Sequence, residues 1–143
     1  MKKVNNRGFS LIEILIVLGL IAGIVAFVAT RVAGAGDNAK VKQSKLMIQN
    51  TKDQLELYRD ACDSYPSTTQ GLAALTKKPA GDPPCEAWGP EPYAQAQPKD
   101  AWGTDLVYES DGSDYEIISY GKNKRPGGEG SDEDISSKKM KLK

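Results

Sequence analysis

Glu13 is the residue most in need of a chemical explanation. It is the one charge in an apolar run from Phe9 to Thr30. An unpaired ionised carboxylate in lipid costs several kcal/mol, roughly 2.5–3.5 at a helix centre and less toward an end. Such a group must be neutral, lie near the headgroups, or meet a cation supplied from elsewhere. Its natural chemistry is ion pairing. The only cysteines are Cys62 and Cys85. In an exported domain they read as one disulfide, worth roughly 3 kcal/mol on chain-entropy grounds; the alternative is two buried free thiols. Histidine is absent, which removes His triads, His general bases and nearly all catalytic zinc designs. With no convincing nucleophile–base pair either, the chain is not expected to be an enzyme. A third group of polar residues fills the glycine-rich acidic stretch from Gly121 to Ile135.

These residues must be carried by a small number of elements. At ~1.5 Å per residue, a helix over 9–30 reaches ~33 Å, enough for a hydrocarbon core of ~30 Å. Gly19 and Gly23 stand four apart in it, a spacing that lets membrane helices approach closely or is simply tolerated there. From Asp37, a candidate helix cap, the pattern becomes amphipathic. Val41, Ile48, Leu55 and Cys62 recur every seven residues, with Thr51 and Tyr58 on the same side and Met47 and Ala61 widening the stripe. Residues 31–62 therefore read as a core helix, continuous or nearly so with the membrane segment. Ser44 and Thr51 on the seam, and the run's shortness, weaken a free coiled coil.

Pro66 stops that helix, and Ser67 or Thr68 can start a short one through Leu75. Residues 76–99 are proline-rich and read as an irregular loop tied back by Cys85. Asp105–Glu109 and Asp114–Tyr120 read as strands of a hairpin turning at Ser110–Ser113. Leu106, Tyr108, Tyr115, Ile117 and Ile118 supply the faces expected to pack on the helix. The basic tail, 136–143, reads as a frayed end, with docking by its lysines as a lesser reading. Bases and acids balance at 19 each, so nothing suggests a nucleic-acid surface.

Lys2, Lys3 and Arg7 precede Gly8, Phe9 and the glutamate five residues into the mature run. This combination resembles the leader of the type IV pilin-like superfamily. The resemblance implies that a prepilin peptidase removes residues 1–8 by cutting between Gly8 and Phe9, and that Phe9 is then N-methylated. The new amine on Phe9 keeps its positive charge, so Glu13 of one subunit can pair with Phe9 of a neighbour. Losing the leader's three bases leaves a net charge of −3. A secretory signal cut at Ala33-Gly34-Ala35 and a plain single-span anchor are the competing readings, disfavoured by the run's length and its glutamate. Relatives often carry a helix-breaking proline near Thr30; Gly34-Ala35-Gly36 can supply the same slack. Positive charge on both sides of the span leaves orientation open. The leader resemblance and the cysteine pair together place the N-terminus in the cytoplasm, the span in the bacterial inner membrane and the C-terminal domain in the periplasm.

Tyr65-Pro66 followed by Gly71-Leu72 and Leu75 resembles the signature of the major pseudopilins of type II secretion systems. Asp100-Ala101-Trp102-Gly103 is similar to that family's Asp-Pro-Trp-Gly, with Ala101 in the proline's place. The resemblance implies an α+β, type IV pilin-like fold: a long N-terminal helix packed on a small antiparallel sheet, in a globular region over 63–135. It also implies that the acidic loop binds one calcium ion through Asp134, Asp132 and Asn123 with main-chain oxygens of Tyr120 and Ser131. Calcium takes six to eight oxygens. Relatives carry aspartate at position 123, so Asn123 beside Lys124 and Arg125 should weaken the site. The implied function is a structural subunit whose copies form a helical filament, the periplasmic pseudopilus, which helps export folded proteins across the outer membrane. Its implied partners are prepilin peptidase, minor pseudopilins and the inner-membrane assembly platform. A type IV pilus subunit and a monomeric membrane-anchored periplasmic binding module are the alternatives.

Overall fold

The computed structural model describes residues 9–140, and side chains there except at 30–35. The expected leader with Gly8, and the last three residues, lie outside the described residues. Chain order is a helix α1 (Leu11–Cys62), a 3-10 turn (Leu72–Leu75), β1 (Val107–Ser110), β2 (Tyr115–Ser119), a second 3-10 turn (Gly130–Asp132) and β3 (Ile135–Ser136). The three strands form one antiparallel sheet in the order β1-β2-β3. This is the expected α+β plan of a long helix with a small antiparallel sheet. The chain divides into two compact units, Met1–Gly36 and Asp37–Lys143.

In the first unit, Leu11–Ala29 is long and apolar enough to cross a membrane, and all of it is exposed. In the second, α1 buries the expected stripe. Ile48, Thr51, Leu55 and Tyr58 are fully covered, and so is Ser44. They pack against Leu72, Leu75, Leu106, Tyr108, Tyr115, Ile117 and Ile135. Asp37 is not a helix start, since α1 runs through it; its carboxylate accepts a hydrogen bond from Lys122 Nζ at 2.8 Å instead.

Several local expectations are corrected. Ile117 and Ile118 cannot share a face of a strand with a two-residue period; Ile117 is fully buried, and Ser119 rather than Ile118 continues that face. The short helix before Leu75 is limited to Leu72–Leu75. Ser67 does bond reciprocally with Gln70, its N–H donating to Gln70 Oε1 and its Oγ accepting from Gln70 N–H, as a capping box does. Gly71 then takes φ +60° and ends that turn before a helix can propagate. The tail is not frayed through Met140. Ser136 pairs with Ile118 in β3, Ser137 N–H donates to Ile117 carbonyl at 2.8 Å, and Met140 packs on the core. Lys138 reaches Asp114 at 2.7 Å.

The disulfide joins Cys62, at the end of α1, to Cys85, with Cα atoms 4.8 Å apart. It ties the irregular loop to the helix. Trp88 adds a second tie by donating from Nε1 to the Ala74 carbonyl at 2.8 Å.

Candidate functional site

Phe9 precedes α1 and Glu13 lies in its first turn. Backbone N–H groups of Glu13 and Ile14 both donate to the Ser10 carbonyl, at 3.0 and 3.2 Å. This closes the turn and sets Glu13 one turn from Phe9. Both residues line one shallow hollow with Ile14, Val17 and Leu18. Phe9 is 79% exposed. Among the described residues, no ion pair involves Glu13. The arrangement offers a carboxylate at the end of a greasy helix to a cation from outside the described chain.

The acidic loop is folded tightly on itself. A Cβ on Gly121 would lie 2.7 Å from the Ser131 carbonyl oxygen, and one on Gly128 would lie 2.6 Å from that of Asp132. Only glycine permits these approaches, and both take positive φ. Asn123 and Asp134 meet through Gly127: Asn123 Nδ2 donates to its carbonyl at 3.4 Å, and its N–H donates to Asp134 Oδ2 at 2.9 Å. Asp134 Oδ1 is buried and has no hydrogen-bond partner, an arrangement that normally costs ~1–3 kcal/mol. Asn123 Oδ1 accepts from Arg125 N–H, and the Ser131 carbonyl from Lys122 N–H, each at 2.9 Å. Asp132 lies on the second 3-10 turn, and the bond to Asp37 raises the Lys122 pKa. Tyr120 directly follows β2. Among the described residues, no three His, Cys, Asp or Glu side chains converge. Any hard cation here must therefore draw on amide and carbonyl oxygens, donors of the kind calcium accepts. Asp134 Oδ1 is the free acceptor that fits one.

The positioning contacts of Asp100, Ser44 and Tyr65 leave no local signal in the sequence. Asp100 is a buried carboxylate satisfied by three donors: Trp102 N–H at 3.0 Å, Thr104 N–H at 2.8 Å and the Ser119 hydroxyl at 2.8 Å. It fixes the Asp-Ala-Trp-Gly turn against β2, directly before the acidic loop. Ala101, where a proline would have no N–H, donates to the fully buried Ser44 Oγ on α1 at 3.0 Å. Tyr65, from the Tyr-Pro signature, donates its hydroxyl to Glu56 and accepts from Arg59, both at 2.8 Å, while its ring meets Tyr115 edge-on. Burial pushes the Tyr108 hydroxyl up to about 12, and it donates to the Pro66 carbonyl at 2.8 Å.

Comparisons with known proteins agree with this arrangement. Residues 31–138 match the family described as type II secretion system, protein G, and residues 3–29 match the prokaryotic N-terminal methylation motif. The type II secretion system core protein G of Pseudomonas aeruginosa is 34% identical over 139 residues, covering 96% of this chain and 98% of that protein. Its counterpart in Vibrio cholerae is 31% identical over 140 residues, covering 96% and 95%. The crystal structure of the major pseudopilin from the type 2 secretion system of enterohaemorrhagic Escherichia coli superposes with a TM-score of 0.64 at 29% identity. It covers 76% of this chain and 94% of that one. With a family match over most of its length and relatives aligned nearly end to end, the chain belongs to the type II secretion system protein G family.

Proposed function

We propose that this chain is the polymerising subunit of a periplasmic pseudopilus, anchored in the bacterial inner membrane by Phe9–Thr30 with its N-terminus cytoplasmic until assembly. Prepilin peptidase removes residues 1–8 after Gly8 and methylates Phe9. The α-amino group of one copy then neutralises Glu13 of the next. The filament, built with minor pseudopilins on the assembly platform, helps move folded proteins across the outer membrane, and the chain carries out no reaction of its own. The observation that carries this reading is Glu13, an exposed carboxylate in the first turn of an apolar helix, one turn from Phe9. Expression in a strain lacking its own major pseudopilin is the test. The native chain should restore exoprotein release, and Glu13→Ala should not. Equal rescue by both would overturn the role of the charge, and restored twitching without secretion would favour a pilus subunit.

The acidic loop is proposed to take one calcium ion through Asp134, with Asp132, Asn123 and the main-chain oxygens of Tyr120 and Ser131 as further donors. What supports this is the buried, unpartnered Asp134 Oδ1. Bound calcium would stabilise the fold by mass action, about 2.7 kcal/mol at 100 times its Kd. Millimolar calcium should raise the Tm, and Asp134→Ala should abolish the rise. An unchanged Tm in the native chain would count against the site.

A further inference from the structure

The bases that follow the apolar segment are used neither by the fold nor by the reading above. Lys40 and Lys42 come soon after Ala29. The Lys122–Arg125 stretch returns to the same end of α1, because Lys122 Nζ donates to Asp37 Oδ2 at 2.8 Å. Lys40, Lys42, Lys124 and Arg125 are all exposed, and none enters an ion pair among the described residues. Lys45 and Lys139 are unpaired too, and they line one cavity of about 310 Å³ with Val41. Of the acids at this end, Asp37 is paired with Lys122. Asp134 has one carboxylate oxygen buried and the other bonded to Gly127 N–H. That leaves Glu129, Asp132 and Glu133 against six free bases. The opposite end of the second unit has the opposite sign. Tyr65 N–H donates to the Gly112 carbonyl at 2.9 Å, which sets the β1–β2 turn near the end of α1 at Cys62. Glu109, Asp111, Asp114 and Glu116 cluster there with no base in the hairpin itself, and Lys138 pairs with Asp114 alone.

Seven residues separate Ala29, the last of the apolar span, from Asp37. They amount to ~12 Å of helix, and a headgroup layer takes up ~5–7 Å of that. Attraction between a base and anionic headgroups falls off within a Debye length, about 8 Å at physiological ionic strength. The free bases around Asp37 are therefore within range of the surface from which the span emerges. Lys and Arg are usually in excess on the cytoplasmic side of a span, so setting orientation does not account for bases on the exported flank. From this charge and this chain length we infer that Lys40, Lys42, Lys124 and Arg125 form a docking surface for anionic phospholipid headgroups. It holds the folded unit at the periplasmic leaflet of the membrane that anchors it. The same surface potential repels the acidic hairpin and turns it away from the lipid. The inference rests on the membrane-anchor reading above and adds a lipid class that the folded unit itself recognises.

Full-length protein in lipid nanodiscs provides the test, with amine acylation at each lysine followed by mass spectrometry. In discs containing phosphatidylglycerol, Lys40, Lys42 and Lys124 should react several-fold more slowly than in discs of phosphatidylcholine alone. Lys52, ~18 Å along α1 from Lys40, should react alike in both. High salt should cancel the difference, and dissolved inorganic phosphate should not reproduce it in phosphatidylcholine discs. Lys124→Gln combined with Arg125→Gln should return Lys40 most of the way to its phosphatidylcholine rate. An unchanged Tm for that variant establishes that the unit still folds. Equal rates in the two lipids, or slow reaction of Lys40 that survives the double variant, would overturn the docking surface while leaving the anchor intact. Slowing by phosphate alone would overturn it too, in favour of a free anion. A chain that does not stay with the discs at all would overturn the anchor reading as well.

Discussion

From Leu11 to Ala29, α1 is apolar on every side and wholly exposed, whereas from Val41 to Cys62 it buries one stripe and turns the opposite one to water. The same backbone hydrogen-bond pattern serves both stretches. What differs is where the apolar surface finds its cover. In the second stretch the cover is in the chain itself: Leu72, Leu75, Tyr108 and Ile117. In the first no described residue supplies it; on the proposed function it comes from lipid and then from neighbouring copies. A helix apolar all round is a span or a core element, and this one keeps a carboxylate near its end. One half buries its apolar face within the chain, and the other leaves all of its apolar surface to cover from outside.

Three perturbations should act on the folded half alone, and each would break the comparison if it reached the other. Replacing Cys62 and Cys85 together by serine should have the largest effect, lowering stability by roughly 3 kcal/mol. Denaturant unfolding of detergent-solubilised protein should show this loss for the globular unit, with helicity of the apolar half unchanged. Loss of both together would mean that the two are one cooperative unit. Ser44→Ala should cost less, about 1–3 kcal/mol, because it strands the Ala101 N–H inside the fold. Adding Ala101→Pro to Ser44→Ala removes the stranded donor and should recover most of that loss. A double variant no better than the single one would show that the bond is incidental.

The smallest effect is expected at the hairpin turn. Backbone N–H groups of Asp114 and Ser113 and the Ser113 hydroxyl hold the exposed Asp111 carboxyl down from 3.8 to about 2. Lys138 likewise holds Asp114 below its ordinary value. A carboxyl with a depressed pKa in the fold contributes stability that is fully present above its unfolded value and is lost as pH falls through the folded one. The contribution of Asp111 should therefore disappear between about pH 4 and pH 2. Asp111→Asn should flatten the fall of Tm with pH in that window, and an unchanged slope would refute the assignment.

How much of this was legible depended on how far each signal reached along the chain. The seam Val41, Ile48, Leu55, Cys62 was legible because one element writes its own periodicity. The β1–β2 hairpin was legible for the same reason, through its alternation and its turn residues. Ser44 was read only as a polar flaw in that seam, because its partner, Ala101, lies 57 residues away. Lys122 and Asp37 meet across 85 residues, and nothing local marks either. The two-residue strand β3 is too short to carry a period, and it takes its register from β2. In the acidic loop, composition marked the donors, but the spare oxygen of Asp134 follows from tertiary placement of Gly127.

The central claim is that the apolar half of α1 becomes a polymerising device once a new amine appears at Phe9, within reach of Glu13 on a neighbour. Mass spectrometry of the amino-terminal peptide from membrane-purified protein tests it most directly. The account predicts a chain beginning at Phe9 and carrying one added methyl group on its nitrogen. A mature chain beginning at Met1, or at Gly36, would contradict it.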